Sequence, residues 1–238
     1  MTFGLLYDVG SACAIAARER QISSYACQID LVSEYVFRHI LGMPRKPSHT
    51  PESLADSALA QFWYGGYEAT SMDTLVKKTG VSRHGIYTDY GSKHALYLAC
   101  FPRYHEHVVA PVLNPVFSSP AGLPAITAYF GRLIEMAEGI GLPGPGCFIA
   151  NAATETAPHD PEVARKVAEH NTRLENAFTM ALQREKTSNL PLAHRKALAR
   201  LTAIFSAGVW TASRSTENVE VLRQHVAVFL DMLEHRVK

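Results

Sequence analysis

The chain has 238 residues, 47% of them hydrophobic and 19% charged, which is material for one large or two small globular domains. Lysine and arginine outnumber aspartate and glutamate by 23 − 22 = 1, so no global charge announces nucleic acid, membrane or acidic substrate, and any anion-binding surface has to be local. Cys13, Cys27, Cys100 and Cys147 lie far apart with no C-x-x-C spacing, which suits neither a disulfide framework nor a zinc site. No apolar run approaches the roughly 18 residues of a membrane span, and a cytoplasmic setting is expected.

Residues 1–42 stand apart from the rest. Ile29, Val32, Val36 and Ile40 share one side of a plausible amphipathic helix, yet the first twenty residues carry Asp8 and a late ARER cluster where a secretion signal places its basic end first. Met43 then opens MPRKPSHTPES, a polar lead into a helix, so residues 1–42 are either a functional arm or a stretch upstream of the start at Met43.

Beyond that point apolar residues recur at three- and four-residue spacing and alternating strand-like runs are hard to find, which predicts an all-α protein. Thr50-Pro51-Glu52 and Asp160-Pro161-Glu162 each supply an N-cap, a proline for the first helical position and an acid for the first turn. The glycine- and proline-rich breaks predict helices over 51–64, 71–79, 82–89, 92–112, 123–139, 146–157, 160–186, 191–212 and 216–237.

The densest punctuation falls in ATSMDTLVKKTGVSRHGIYTDYGSKHAL. Ser71 caps a short helix with Met72, Leu75 and Val76 facing inward, Gly80 supplies the left-handed residue that ends it, and Val81 plugs the angle to the next. Ser82 caps a second short helix. Two helices meeting steeply across so brief a turn form a helix-turn-helix, whose second helix enters the DNA major groove. Arg83 and His84 take its first exposed positions, where arginine can pair bidentately with guanine, and Gly85 allows close approach. Tyr87 and Thr88 follow one turn later, and Gly91-Ser92-Lys93 opens another helix whose free N–H groups and lysine can hold a phosphate.

The run FWYGGYEATSMDTLVKKTGVSRHGIYTDYGSKHALYLACF, with its aromatic before glycine, A-T-S, G-V-S, I-Y pair and G-S-K, resembles the N-terminal domain of the tetracycline-repressor (TetR) family of bacterial transcription regulators. The resemblance covers about Ser53 to Phe101. It places Ser82, Arg83, His84, Gly85 and Thr88 on the recognition helix and matches Tyr87 and Lys93 to phosphate contacts. It implies a three-helix DNA-binding domain over 43–104, a helical effector-binding and dimerisation domain over 105–238, and double-stranded operator DNA, a second copy of the chain and a small-molecule effector as partners. From Met43 to Tyr104 seven basic against five acidic residues leave +2, a patch that a dimer presents twice. GCFIANAATETAPHDPEVARKVAEH, Gly146 to His170, is similar to a C-terminal segment of one subgroup, some of whose members respond to electrophiles or oxidants.

Elsewhere the motifs are bland. Gly141 to Gly146, GLPGPG, lacks the preceding strand of a phosphate loop. His105-Glu106-His107 would point ligands at i and i+2 to different faces of a helix. No G-x-S-x-G or H-E-x-x-H motif suggests catalysis, so no catalytic residue, cofactor or metal is expected, and Glu155 near His159 reads as a structural contact. The mainly apolar wall of an effector pocket is expected from Tyr129, Phe130, Ile134, Cys147, Phe148, Asn151, Glu155 and Trp210, all equally good core residues. Cys147 opens a helix, where a thiol pKa falls, so it is either a reactive sensor or a small buried hydrophobe. In the last two helices Leu201, Phe205 and Val209, then Leu222, Val226, Phe229 and Leu233, form broad stripes, either internal core or a four-helix interface between two subunits. The competing class is a helical small-molecule carrier or enzyme that acts without DNA.

Overall fold

The computed structural model describes residues 49–120, 122–185 and 189–237, and the expectations for residues 1–42 and for Met43 lie outside them. Within these residues every regular element is helical. α1 (Pro51–Gly65), α2 (Met72–Thr79) and α3 (Arg83–Tyr90) form an N-terminal head. α4 (Lys93–Tyr104) leads out of it through a π-helical turn, His105–Val109, into α5 (Ala110–Ser118). The body is completed by α6 (Leu123–Ile140), α7 (Phe148–Glu155), α8 (Pro161–Gln183), α9 (Leu192–Ala212) and α10 (Val219–Val237).

The starts follow from local chemistry. Thr50 and Ser53 form a reciprocal capping box at α1, with Pro51 in the first turn. Ser71, Ser82 and Ser92 cap α2, α3 and α4 by accepting backbone N–H groups of Thr74, Gly85 and Ala95. Asp160 accepts from Glu162 and Val163 at α8. Gly80 ends α2 at φ 72°, ψ 4°, the left-handed region in which a side chain is disfavoured.

The long connecting helix departs from expectation. It was expected to stop at 112, but it runs on to Ser118. The N–H of Ala110 bonds to the carbonyl of His105, five residues back, so the turn ahead of Pro111 is widened by one residue. A proline ring normally clashes with the carbonyl four residues before it, and the π turn makes room for that ring. α10 also begins three residues later than 216, and α7 is trimmed at both ends.

Head and body share an aromatic core. Phe148 of α7 lies 5.6 Å from Tyr97, 5.0 Å from Phe101 and 5.4 Å from Tyr104 of α4, ring centre to ring centre. Fully burying one such ring contributes about 1.5–3 kcal/mol. Deeper in the body Phe205 and Phe229 stack at 4.0 Å with Phe130 against both, so α6, α9 and α10 close around a second cluster.

Candidate DNA-binding surface and effector cavity

α3 lies on the head with Ile86 fully buried beneath it and Ser82, Arg83, His84, Tyr87 and Thr88 exposed. Its back is braced by the leader: His49 Nε2 is 2.9 Å from Asp89 Oδ2, and Tyr90 donates its hydroxyl to the Pro51 carbonyl. Arg83 Nη2 donates to Asp73 Oδ1 of α2 at 2.6 Å. Both side chains are exposed, so the pair is weak and can be exchanged for a stronger acceptor. Thr88 Oγ1 donates to the His84 carbonyl of its own helix at 2.9 Å.

Gly85 has a packing role besides the one expected. A Cβ there would come within 2.9 Å of Val81 Cγ1, so its bareness also serves the packing of α3 against the turn. Lys93 carries its ammonium 4.2 Å from the ring centre of Tyr67, at the start of α4. Ser71 is exposed at the N-terminus of α2 with its hydroxyl on Thr74.

Glu155, expected at a pocket, instead clamps the head to the body. Its Oε2 accepts the N–H of Tyr67 and its Oε1 the N–H of Glu68, both at 2.9 Å. The loop can reach it because Gly66, at φ 84°, has no Cβ where the carboxylate oxygens lie 3.0 Å away. Asp56, Arg103 and His107 form a second bridge. Buried Asp56 of α1 accepts from Arg103 Nε at 2.5 Å and Nη2 at 2.8 Å, with His107 Nε2 3.4 Å from Oδ1. Burial holds His107 below the usual imidazole range. Arg103 also holds Glu106, whereas His105 turns to Arg173. His105 thus parts from Glu106 and His107, which both meet the Arg103–Asp56 pair, and among the described residues no cluster fit for a metal occurs.

The body contains a cavity of about 40 Å³ lined by Tyr104, Val108, Val109, Val112, Tyr129, Leu133, Met136, Cys147, His170, Leu174, Ser206, Ala207 and Trp210. Three of the expected pocket residues, Tyr129, Cys147 and Trp210, line it. The others do not: Phe130 sits in the Phe205–Phe229 cluster, Ile134 is buried on α6, and Phe148 is buried among the α4 aromatics. Asn151 donates to the carbonyls of Pro145, at 3.2 Å, and Trp63. Sequence reading missed Tyr104, Val108, His170 and Ser206, which come from three different helices. The signal available for His170 was a histidine four residues ahead of Leu174 on a helix whose inner face is apolar.

Cys147 caps α7 by accepting the Ala150 N–H at 3.4 Å, the position expected to favour a thiolate. Burial dominates, however, and pushes the thiol up, with the backbone N–H groups and the Tyr104 hydroxyl only partly offsetting it. The buried, unreactive alternative is the one this geometry favours. The interface expectation shifts in the same way. Val209, Leu222, Val226, Phe229 and Leu233 are buried within the chain itself, and Phe205 is half-buried. The outward large apolar side chains on α9 and α10 are Leu192, Leu201, Ile204, Val221, Val228 and Met232.

A capped second helix held outward over a short left-handed turn, on a helical body with its own cavity, defines a helix-turn-helix DNA-binding regulator. Residues 54–100 match the family model of bacterial regulatory proteins, tetR family. HTH-type transcriptional regulator YezE of Bacillus subtilis (strain 168) is 32% identical over 190 residues, covering 74% of this chain and 92% of that protein. HTH-type transcriptional repressor ComR of Escherichia coli (strain K12) is 25% identical over 193 residues, covering 79% and 90% respectively. Among solved structures, a cysteine mutant of the TetR-family regulator CifR, complexed with 26-base-pair operator DNA, has the same fold at TM-score 0.69 and 17% identity, covering 79% of this chain and 98% of that one. The chain belongs to the tetR family and is a DNA-binding transcriptional regulator, which sets aside the enzyme alternative. Among the described residues no helix is long and apolar enough to cross a membrane.

Proposed function

We propose that this regulator is a cytoplasmic homodimeric repressor released from its operator by a small effector bound in the body. Residues 43–104 hold the DNA and residues 105–238 dimerise and enclose the effector. Arg83 and His84 read base edges, Ser82 and Thr88 fix the start and pitch of the reading helix, and Ser71, Tyr87 and Lys93 meet phosphates. Repression is supported by the likeness to ComR, itself named a repressor. The dimer is supported by the exposed stripe of Leu201, Ile204, Val228 and Met232, since reading two half-sites about 34–36 Å apart needs two-fold symmetry.

The observation that carries the effector part is the placement of Tyr104, which walls the cavity on one side and packs on Trp63 of the head on the other. An effector that binds better to a conformation with wrongly spaced reading helices lowers DNA affinity by shifting the population. Genome-wide footprinting tests the reading. Protected sites should be two-fold symmetric, lie in promoters, and control genes that rise in expression when the gene for this regulator is deleted. Protected promoters whose genes fall on deletion would make it an activator.

A further inference from the structure

Inside the cavity the polar atoms satisfy one another. Trp210 Nε1 donates to Tyr104 Oη at 3.1 Å, Tyr104 donates to Cys147 Sγ at 3.9 Å, and the hydroxyls of Tyr129 and Ser206 are hydrogen-bonded. What the interior offers a guest is therefore apolar surface, chiefly Val112, Leu133 and Leu174. His170 is the exception. It is half-buried in the wall and makes no hydrogen bond within the described residues.

Beside it stands a basic group with no acid. Arg173, on the next turn of α8, points Nη1 at His105, 2.5 Å from Nε2 and 3.1 Å from Nδ1. A guanidinium has only donors, so His105 must meet it as a neutral acceptor, a poor substitute for a carboxylate. The acids nearby in sequence are engaged elsewhere: Glu169 by Arg165 and Lys166, Glu106 by Arg103 and Glu175 by Arg200. Of these three bases only His170 lines the apolar cavity, with Arg173 one turn further along α8 and His105 against it, and what the three lack is an anion.

We propose that this cavity takes a small organic carboxylate with a compact apolar body, its head on Arg173 and His170 and its body against Tyr104, Leu133 and Leu174. The inference deepens the effector reading above by giving that ligand a chemical class. A guanidinium pairs with a carboxylate through two parallel hydrogen bonds, which the His105 ring cannot offer. The space of about 40 Å³ is near that of one water, so the guest enters by displacing Met136, a half-buried and unbranched wall residue.

Benzoate is the probe and benzamide its neutral shape match, titrated calorimetrically into the full chain. Benzoate should bind one per chain, about tenfold or more tighter than benzamide, the difference of one charge-assisted pair. Arg173→Gln should bring benzoate down to the level of benzamide while leaving the melting temperature unchanged, because Arg173 is exposed. His170→Gln should weaken benzoate as well. Equal affinity for acid and amide, benzoate affinity unchanged in Arg173→Gln, or no binding of either benzoate or 3-methylbutanoate at millimolar concentration would each overturn the site. Operator release, followed by fluorescence anisotropy, is read separately. Specific carboxylate binding without release supports the site and removes the effector reading. Release by other compounds, with no carboxylate bound, removes the site and keeps that reading.

Discussion

Tyr104 lies edge-on to Trp63, ring centres 5.1 Å apart and planes at 82°, so the wall of the cavity and the first helix of the DNA-binding head are in direct contact. Both rings are buried and both are tied to the same segment. Trp63 Nε1 donates to the Gly146 carbonyl at 2.6 Å, and Tyr104 donates to the thiol of Cys147 next to it. The head is therefore anchored on the start of α7 from two sides, with the Glu155 clamp at the other end of that helix.

Replacing Tyr104 by Phe keeps the ring packing and removes the oxygen. Trp210 Nε1 then loses its acceptor in a buried site, which costs about 1–3 kcal/mol. Urea unfolding should show that loss, while Tyr104→Ala should cost about 3–5 kcal/mol through the cavity it leaves. A Phe variant as stable as the parent would mean that water replaces the hydroxyl.

On the DNA side, Arg83 has to leave Asp73 before it can reach a base. Asp73→Asn weakens that hold and should tighten operator binding modestly, because the pair is exposed and contributes little to folding. Arg83→Ala should reduce the preference for operator over scrambled duplex, whereas Tyr87→Phe and Lys93→Ala should weaken both duplexes alike. Anisotropy over a salt series measures all four. Equal losses on both duplexes for Arg83→Ala would take the residue out of base reading.

For the interface, Ile204 and Phe229 separate outward from inward apolar surface. Ile204 is 69% exposed, so Ile204→Asp should yield folded monomers with weakened operator binding. Phe229 is buried and stacked on Phe205, so Phe229→Asp buries an unpaired charge and should cost several kcal/mol of folding stability. Sedimentation and thermal melting together distinguish the two. A stable dimer of Ile204→Asp would place the interface on another face.

The head was legible because its information is local. Caps at Thr50, Ser71 and Ser82 and the stop at Gly80 depend on residues within one helical turn, and helix starts read from them agree with the structure to within about a residue. The cavity was only partly legible, since its wall is assembled from α4 to α9 and the long helix carries a π turn that shifts Val108 and Val109 by a register that helical spacing does not foresee. The choice between inward and outward apolar stripes on α10 was not legible either. Val221, Val228 and Met232 alternate with Leu222, Phe229 and Leu233 around one helix, and the positions of α6 and α9 decide which set is covered.

Acid should weaken the fold through His170. Burial, reinforced by electrostatic coupling to His105 and to the Arg173 guanidinium, lowers its pKa to about 4, against about 6.5 in an unfolded chain. Between those values the unfolded state binds the extra proton and the native state does not, so stability is full above pH about 6.5, falls as pH drops towards 4, and levels off below. Each pH unit across that window contributes up to about 1.4 kcal/mol, so His170 alone accounts for roughly 3 kcal/mol over the whole window. His105 is lowered by burial and by Arg173 and adds a loss of the same sign. Asp160, lowered by the α8 N–H groups and His94 against its own burial, loses its contribution below the ordinary carboxylate range, outside this window. Urea unfolding at pH 7.5, 6.0 and 5.0 should therefore show a progressive decline that His170→Leu flattens. A decline of equal slope in both proteins would assign the acid sensitivity to other groups.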